Sequence, residues 1–202
     1  MTSAPQPLAT GPAVILIGPP GSGKSTVGPL LAELLDVGFA DTDDLVARAA
    51  GKPVSDIFID DGDAAFRDLE RSAVSAAIAD HSGVLALGGG TVHWDGLRPL
   101  LAGRRVVYLE TGFPAVVRRS GLDGPRPPMP GNPRGRLLQL LEQRRPLYQE
   151  LAWLTVPTDD AEPREIAGQI AVLVRGGDPP EPPGHAGADT DRQPRRGAVE
   201  SP

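Results

Sequence analysis

The sequence contains no cysteine, which excludes disulfide frameworks and thiolate metal sites and suits a reducing compartment. Aromatic residues make up only 4% of the 202 positions, so a core has to be built from Leu, Val, Ile and Ala. No apolar run approaches the ~20 residues that cross a bilayer. Residues 1–12 lack the charged start and apolar segment of an export signal, and a soluble cytoplasmic protein is expected. An excess of basic residues is missing too: 20 Lys and Arg stand against 26 Asp and Glu, a net charge of −6. Without a diffuse positive field, neither nucleic acid nor an anionic membrane is expected as a partner. Small anionic ligands met by locally placed cations fit this balance better.

Glycine (25) and proline (23) are plentiful, and their placement divides the chain. Residues 1–12 carry three prolines and no periodic pattern, and residues 176–202 hold a single large apolar residue, Val199. Neither segment can bury enough to offset its ordering entropy, so both are expected to be disordered, flanking one domain over 13–175. Inside that domain apolar runs alternate with helical periodicity. Strands are expected at 13–17, 38–41, 84–87, 105–109 and 154–156. Helices are expected at 24–35, 42–50, 64–80, 114–120, 134–151 and 163–174, with short ones within 51–62 and 94–101. Alternation of this kind predicts an α/β fold, a five-stranded parallel sheet with helices on both faces and ligands beyond the strand C-termini. Pro29 is an oddity within the first helix, tolerable near its start. The proline- and glycine-rich stretch 121–133, with Arg126 in its middle, reads as a long functional loop.

One stretch organises the rest. Gly18-Pro-Pro-Gly-Ser-Gly-Lys-Ser-Thr26 follows the first strand and opens the first helix. Glycines at 18, 21 and 23 permit tight turns in which the N–H groups of Gly21, Ser22, Gly23 and their neighbours face phosphate oxygens. Lys24 adds a mobile positive charge, Ser25 a hydroxyl for Mg²⁺, and the helix N-terminus, with Thr26, a favourable dipole. At the second strand end, Asp41 and Asp43 alternate and are expected on opposite faces, one near the metal and one near a substrate hydroxyl; a helix N-cap is the plainer alternative. Gly88, Gly89 and Gly90 end the third strand, either as a flexible loop or, the better reading, to let backbone N–H groups approach a ligand. Arg67 and Glu70 can pair across a helical turn, as a simple surface ion pair would. Arginines 118, 119, 126, 144 and 145 cluster around the proline-rich loop, as a phosphate partner requires or as ordinary helix ends. His93 has no metal-like spacing, and phosphoryl transfer does not call for a histidine base.

Taken in order, the phosphate loop, Asp41-Thr-Asp43, Phe66-Arg-Asp-Leu-Glu70, Leu87-Gly-Gly-Gly90, Arg126-Pro127 and Arg144-Arg-Pro-Leu-Tyr148 resemble the shikimate kinase family. The resemblance implies a P-loop NTPase fold with 121–133 as a lid, and ATP and Mg²⁺ as cofactors. It implies that Lys24, Asp43 and Arg126 act in catalysis and that Ser25 and Asp41 serve the metal. Arg119 and Arg126 would contact nucleotide, while Asp43, Arg67, Arg144 and glycines 88–90 would hold shikimate and Glu70 would orient Arg67. Two departures stand out: Pro128 replaces a usual leucine in the lid, and Asp159-Asp160-Ala161-Glu162 replaces an arginine-bearing adenine loop. The implied reaction moves the γ-phosphoryl group of ATP to the shikimate 3-hydroxyl, with the enzyme acting as a monomer. A gluconate kinase or a nucleotide-binding regulator without catalysis are the alternatives. This assignment requires residues 43, 67 and 144 to come together near residue 24.

Overall fold

The computed structural model describes residues 11–119 and 132–176; the expected lid arginine Arg126, and nearly all of both expected disordered ends, lie outside them. Five strands form one sheet: β1 (Val14–Ile17), β2 (Phe39–Asp41), β3 (Val84–Ala86), β4 (Val106–Glu110) and β5 (Leu154–Pro157), in the order β2-β3-β1-β4-β5. All neighbours run parallel, with Val14 opposite Val84 and Ile15 opposite Val106 on the two sides of β1. The expected parallel sheet is therefore present, with strand ends displaced by a residue or so.

The unbroken apolar character of β1 has a direct cause. Val14 and Leu16 point into one core layer with Val27 and Leu31 of α1 (Lys24–Leu35) and Ile166 and Ile170 of α8 (Pro163–Gly176). Ile15 and Ile17 point the other way, against Val74 and Ile78 of α4 (Gly62–Asp80), Leu97 of α5 (Leu97–Leu101) and Tyr148 of α7 (Pro133–Leu151). All four strand residues are at most 1% exposed. Each stabilises the fold by roughly 1.5–3 kcal/mol relative to an exposed position. A smaller cluster joins Val46 of α2 (Thr42–Ala50), Ile57 of α3 (Val54–Asp60) and Phe66 of α4. This cluster props the start of α4, and hence Arg67, against α2 and α3. The last helix before residue 120 is α6 (Phe113–Arg119).

Two prolines sit inside helices. Pro29 is well within α1 rather than in its first turn, and Pro146 lies in α7; each removes one backbone donor while the surrounding packing keeps the helix intact. The short helix expected within 94–101 is α5, and a 3-10 turn over Thr91–His93 that the sequence does not suggest precedes it. That tight turn is drawn by the carbonyls of Gly88 and Gly90, which accept from the N–H groups of Thr91 (3.1 Å) and His93 (3.2 Å).

Gly83 and Gly168 separate steric need from chance. A Cβ on Gly83 would overlap the carbonyl oxygen of Gly38, which already accepts from Val84 N–H at 2.8 Å and cannot retreat without opening the β2–β3 ladder. A Cβ on Gly168, inside α8, would meet nothing. Gly83→Ala is expected to destabilise by about 3 kcal/mol, a fall in Tm of roughly 6–12 °C, whereas Gly168→Ala should gain about 0.5–1 kcal/mol. Thermal denaturation of the two variants beside the parent checks both signs.

Candidate active site

The turn between β1 and α1 places Gly21 (φ 79°) and Gly23 (φ 96°) in left-handed conformations that side chains disfavour. Ser22 between them is fully buried. Lys24 folds back over the turn, its ammonium group donating to the carbonyl oxygens of Gly18 (2.7 Å) and Pro19 (3.1 Å). Burial lowers its pKa to about 8, against the opposing pull of Asp41 and Asp43. The turn, Lys24, Ser25 and Thr26 line a cavity of about 720 Å³ together with Asp41, Asp43, Gly89 and Arg119.

Asp41 is the last residue of β2 and the N-cap of α2. Its Oδ2 accepts from Ser25 Oγ at 2.9 Å and its Oδ1 from the N–H of Asp43 at 3.0 Å. Asp43 accordingly lies in the first turn of α2, which starts at Thr42 as expected, and the N-cap alternative describes Asp41. The two carboxylates still diverge: that of Asp41 faces Ser25, while Oδ1 of Asp43 lies beside Gly88. Burial first, then the negative charge of Asp41, raises the Asp43 pKa, and Lys24 moderates the rise. Among the described residues no group of three or more His, Cys, Asp or Glu side chains is placed to hold a metal. The Ser25 hydroxyl and Asp41 carboxylate form an all-oxygen pair of the kind Mg²⁺ takes when phosphate and water fill its other positions.

Glycines 88–90 are where the remaining candidates meet. A Cβ on Gly88 would stand 2.6 Å from Asp43 Oδ1 and 3.1 Å from Glu70 Oε1. One on Gly90 would stand 2.7 Å from Arg67 Nη1, and one on Gly89 would stand 2.9 Å from Pro20 Cδ. The Gly89 carbonyl accepts from Arg144 Nη1 (2.9 Å) and Tyr148 Oη (2.7 Å). Successive α-carbons lie about 3.8 Å apart, so Asp43, Arg67 and Arg144 converge on one short segment at the C-terminal end of β3. The Gly88 N–H, however, is already bonded to the buried Thr42 Oγ1 at 2.9 Å. Backbone donation to a ligand falls to the rest of the turn.

Arg67 pairs with Glu70 at 2.7 Å, and Glu70, only 4% exposed, takes a second bond from Thr91 Oγ1 at 3.1 Å. This is no loose surface pair: the carboxylate is enclosed and held on both oxygens, which fixes the guanidinium it faces. Arg67, Gly90, Thr91 and His93 line a separate hollow of about 230 Å³. Asp43 and Lys24 thus share one cavity, Arg67 opens on the adjoining one, and the glycine segment is the wall between them. Arg144 reaches this wall from α7, where its Nε donates to His93 Nε2 at 3.0 Å.

At the far end of the large cavity Arg119 donates to Gly21 O (3.2 Å) and to the hydroxyl and carbonyl of Thr158. Asp159, one of the acidic departures, accepts from Thr111 Oγ1 (2.9 Å) and the Gly112 N–H (2.9 and 3.0 Å), tying β5 to the start of α6. Thr42, Thr91, His93 and Tyr148 were not singled out as site residues. Only Tyr148 carried a local signal, one helical turn after Arg144 on the same face.

The shikimate kinase family model matches residues 20–175. Shikimate kinase of Salinispora arenicola is 53% identical over 163 residues, 81% of this chain and 98% of that protein. That of Thermobifida fusca is 53% identical over 164 residues, 81% and 95% of the two chains. Among solved structures, shikimate kinase from Acinetobacter baumannii in complex with shikimate superposes with a TM-score of 0.73 at 35% identity, covering 82% of this chain and 93% of that one. With the match running from inside the phosphate loop through Asp43, Arg67 and Arg144 into the last turn of α8, the chain belongs to the shikimate kinase family.

Proposed function

We propose that the protein transfers the γ-phosphoryl group of ATP to the 3-hydroxyl of shikimate, releasing ADP and shikimate 3-phosphate. The observation that carries this reading is the meeting of Asp43, Arg67 and Arg144 at glycines 88–90, beside the loop that bears Lys24. Two guanidinium groups on separate helices suit a carboxylate, which planar forks bind with directional hydrogen bonds. Asp43, with a raised pKa, suits the acceptor hydroxyl: it can accept that proton as the oxygen attacks phosphorus. Lys24 leaves the carbonyls of Gly18 and Pro19 for the phosphates, and Arg119 flanks the nucleoside end of the cavity. Arg126 is proposed to close on the transferring group.

Mg²⁺, when bound, supplies charge neutralisation at the β- and γ-phosphates. Ser25 and Asp41, paired at 2.9 Å, are the residues that would hold it. The remaining work is positioning and electrostatic stabilisation by groups already in place, which is what phosphoryl transfer asks of a protein. The proposed setting is the cytoplasm, where ATP and Mg²⁺ are both at hand, with a monomer as the proposed working unit. No helix among the described residues is long and apolar enough to cross a membrane.

Arg67→Ala should raise the KM for shikimate by roughly 10–100-fold while changing kcat far less, because it removes an ion pair made in the ground state. Lys24→Ala should instead lower kcat by about a hundredfold or more. Steady-state assays coupled to ADP release, run with shikimate and with gluconate, measure both and separate this reaction from the gluconate alternative. Unchanged affinity for shikimate in Arg67→Ala would dispose of the carboxylate clamp.

Lys24 also gives a pH signature. Its pKa in the free protein is about 8, and bound phosphate stabilises the charged form and raises it, so nucleotide binding takes up a proton near pH 8 and weakens as pH rises further. Titration calorimetry with MgADP at pH 8, in two buffers of different ionisation enthalpy, should show this uptake for the parent and not for Lys24→Arg, whose charge is permanent. Equal heats in both buffers for the parent would contradict it.

A further inference from the structure

Arg144 stands on α7, across from the segment it serves, and has to project a long flexible side chain to reach it. Its guanidinium donates from Nη1 to Gly89 O at 2.9 Å and from Nε to His93 Nε2 at 3.0 Å, with the Tyr148 hydroxyl beside it on the same Gly89 carbonyl. Both acceptors belong to the loop after β3, and His93 is the last residue of its 3-10 turn. With the carbonyl bond alone, the planar group could still rotate about that bond. The second bond, from a different nitrogen, removes this freedom.

An imidazole can accept at Nε2 only while neutral and protonated on Nδ1. Burial, then the positive charges of Arg144 and Arg67, lower the His93 pKa below its ordinary value and keep that lone pair available at pH 7. Around it stand Arg67, Glu70 and Arg71 of α4, which share its hollow, and Arg144 of α7. Glu70 is committed to Arg67 and Thr91, so Arg144 relies on the histidine where Arg67 relies on a carboxylate.

We propose that His93 is a positioning residue for shikimate binding: by accepting the Arg144 Nε–H it sets the plane in which that guanidinium presents its other donors to the substrate carboxylate. The proposal rests on Arg144 as a carboxylate-binding group. It accounts for a histidine between two arginines without giving it any part in proton transfer.

The test is steady-state kinetics on the full chain carrying His93→Leu or His93→Gln, each alone and with Arg144→Ala, after thermal melts confirm folding. His93→Leu should raise the KM for shikimate about tenfold, the scale of one hydrogen bond to a charged group, with kcat and the KM for ATP within about twofold. His93→Gln, whose amide oxygen can accept from the same donor, should recover to within about threefold of the parent, and His93→Leu should add nothing in the Arg144→Ala background. A parental KM in His93→Leu, a Gln variant as impaired as Leu, or a Leu penalty that persists without Arg144 would each overturn the proposal alone. A parental KM in Arg144→Ala would overturn the carboxylate clamp and this proposal together.

Discussion

Three consecutive residues without side chains hold the site together. At Gly88, Gly89 and Gly90 the missing Cβ atoms leave room for Asp43 and Glu70, for Pro20 of the phosphate loop, and for Arg67 in turn. Arg144 and Tyr148 then fasten to the central carbonyl. Elements from four parts of the chain are thereby held against one turn at the end of β3. The sheet order explains why this is feasible: β3 lies between β2 and β1, so the turn after it runs between the carboxylates at the end of β2 and the phosphate loop at the end of β1.

The cations of this acidic protein are supported in different ways, and the difference matches the tasks proposed for them. Arg67 faces a buried carboxylate that remains whether or not a ligand is bound. Arg144 faces a carbonyl, an imidazole and the Tyr148 hydroxyl, none of them charged. Lys24 rests on carbonyls and is desolvated enough to lose much of its basicity. A side chain whose nearest partners are neutral stands to gain most from an arriving anion. Phosphate would supply that anion to Lys24, and a substrate carboxylate to Arg144, while the standing pair at Arg67 fixes geometry beforehand.

Much of the architecture was legible because it is local. The wholly apolar β1, the helical stripe of Val27 and Leu31, and the glycine spacing of the phosphate loop each signal their structure within a few residues. What escaped depends on contacts between distant positions. Thr42 with Gly88 and His93 with Arg144 lie 46 and 51 residues apart, and no periodicity links them. The divergence of Asp41 and Asp43 follows from the N-cap at Asp41 and the helix that starts at Thr42, both of which the sequence offers, and not from strand alternation. The 3-10 turn at Thr91–His93 was invisible, since the two glycine carbonyls that draw it carry no side-chain signature. Asp159, read as part of an altered nucleotide-binding segment, does line the large cavity, and its carboxylate also fastens β5 to the start of α6 through Thr111 and Gly112, 48 and 47 residues away.

The measurement that bears most directly on the central claim is the affinity of Gly90→Ala for shikimate by titration calorimetry. Gly90 has φ −89° and ψ −18°, a conformation open to alanine, so the backbone accommodates the substitution and the fold should survive. The added methyl group falls where Arg67 Nη1 now lies and has to push the guanidinium aside. The account predicts that shikimate binds roughly tenfold or more weakly. Parental affinity in a folded Gly90→Ala protein would contradict it.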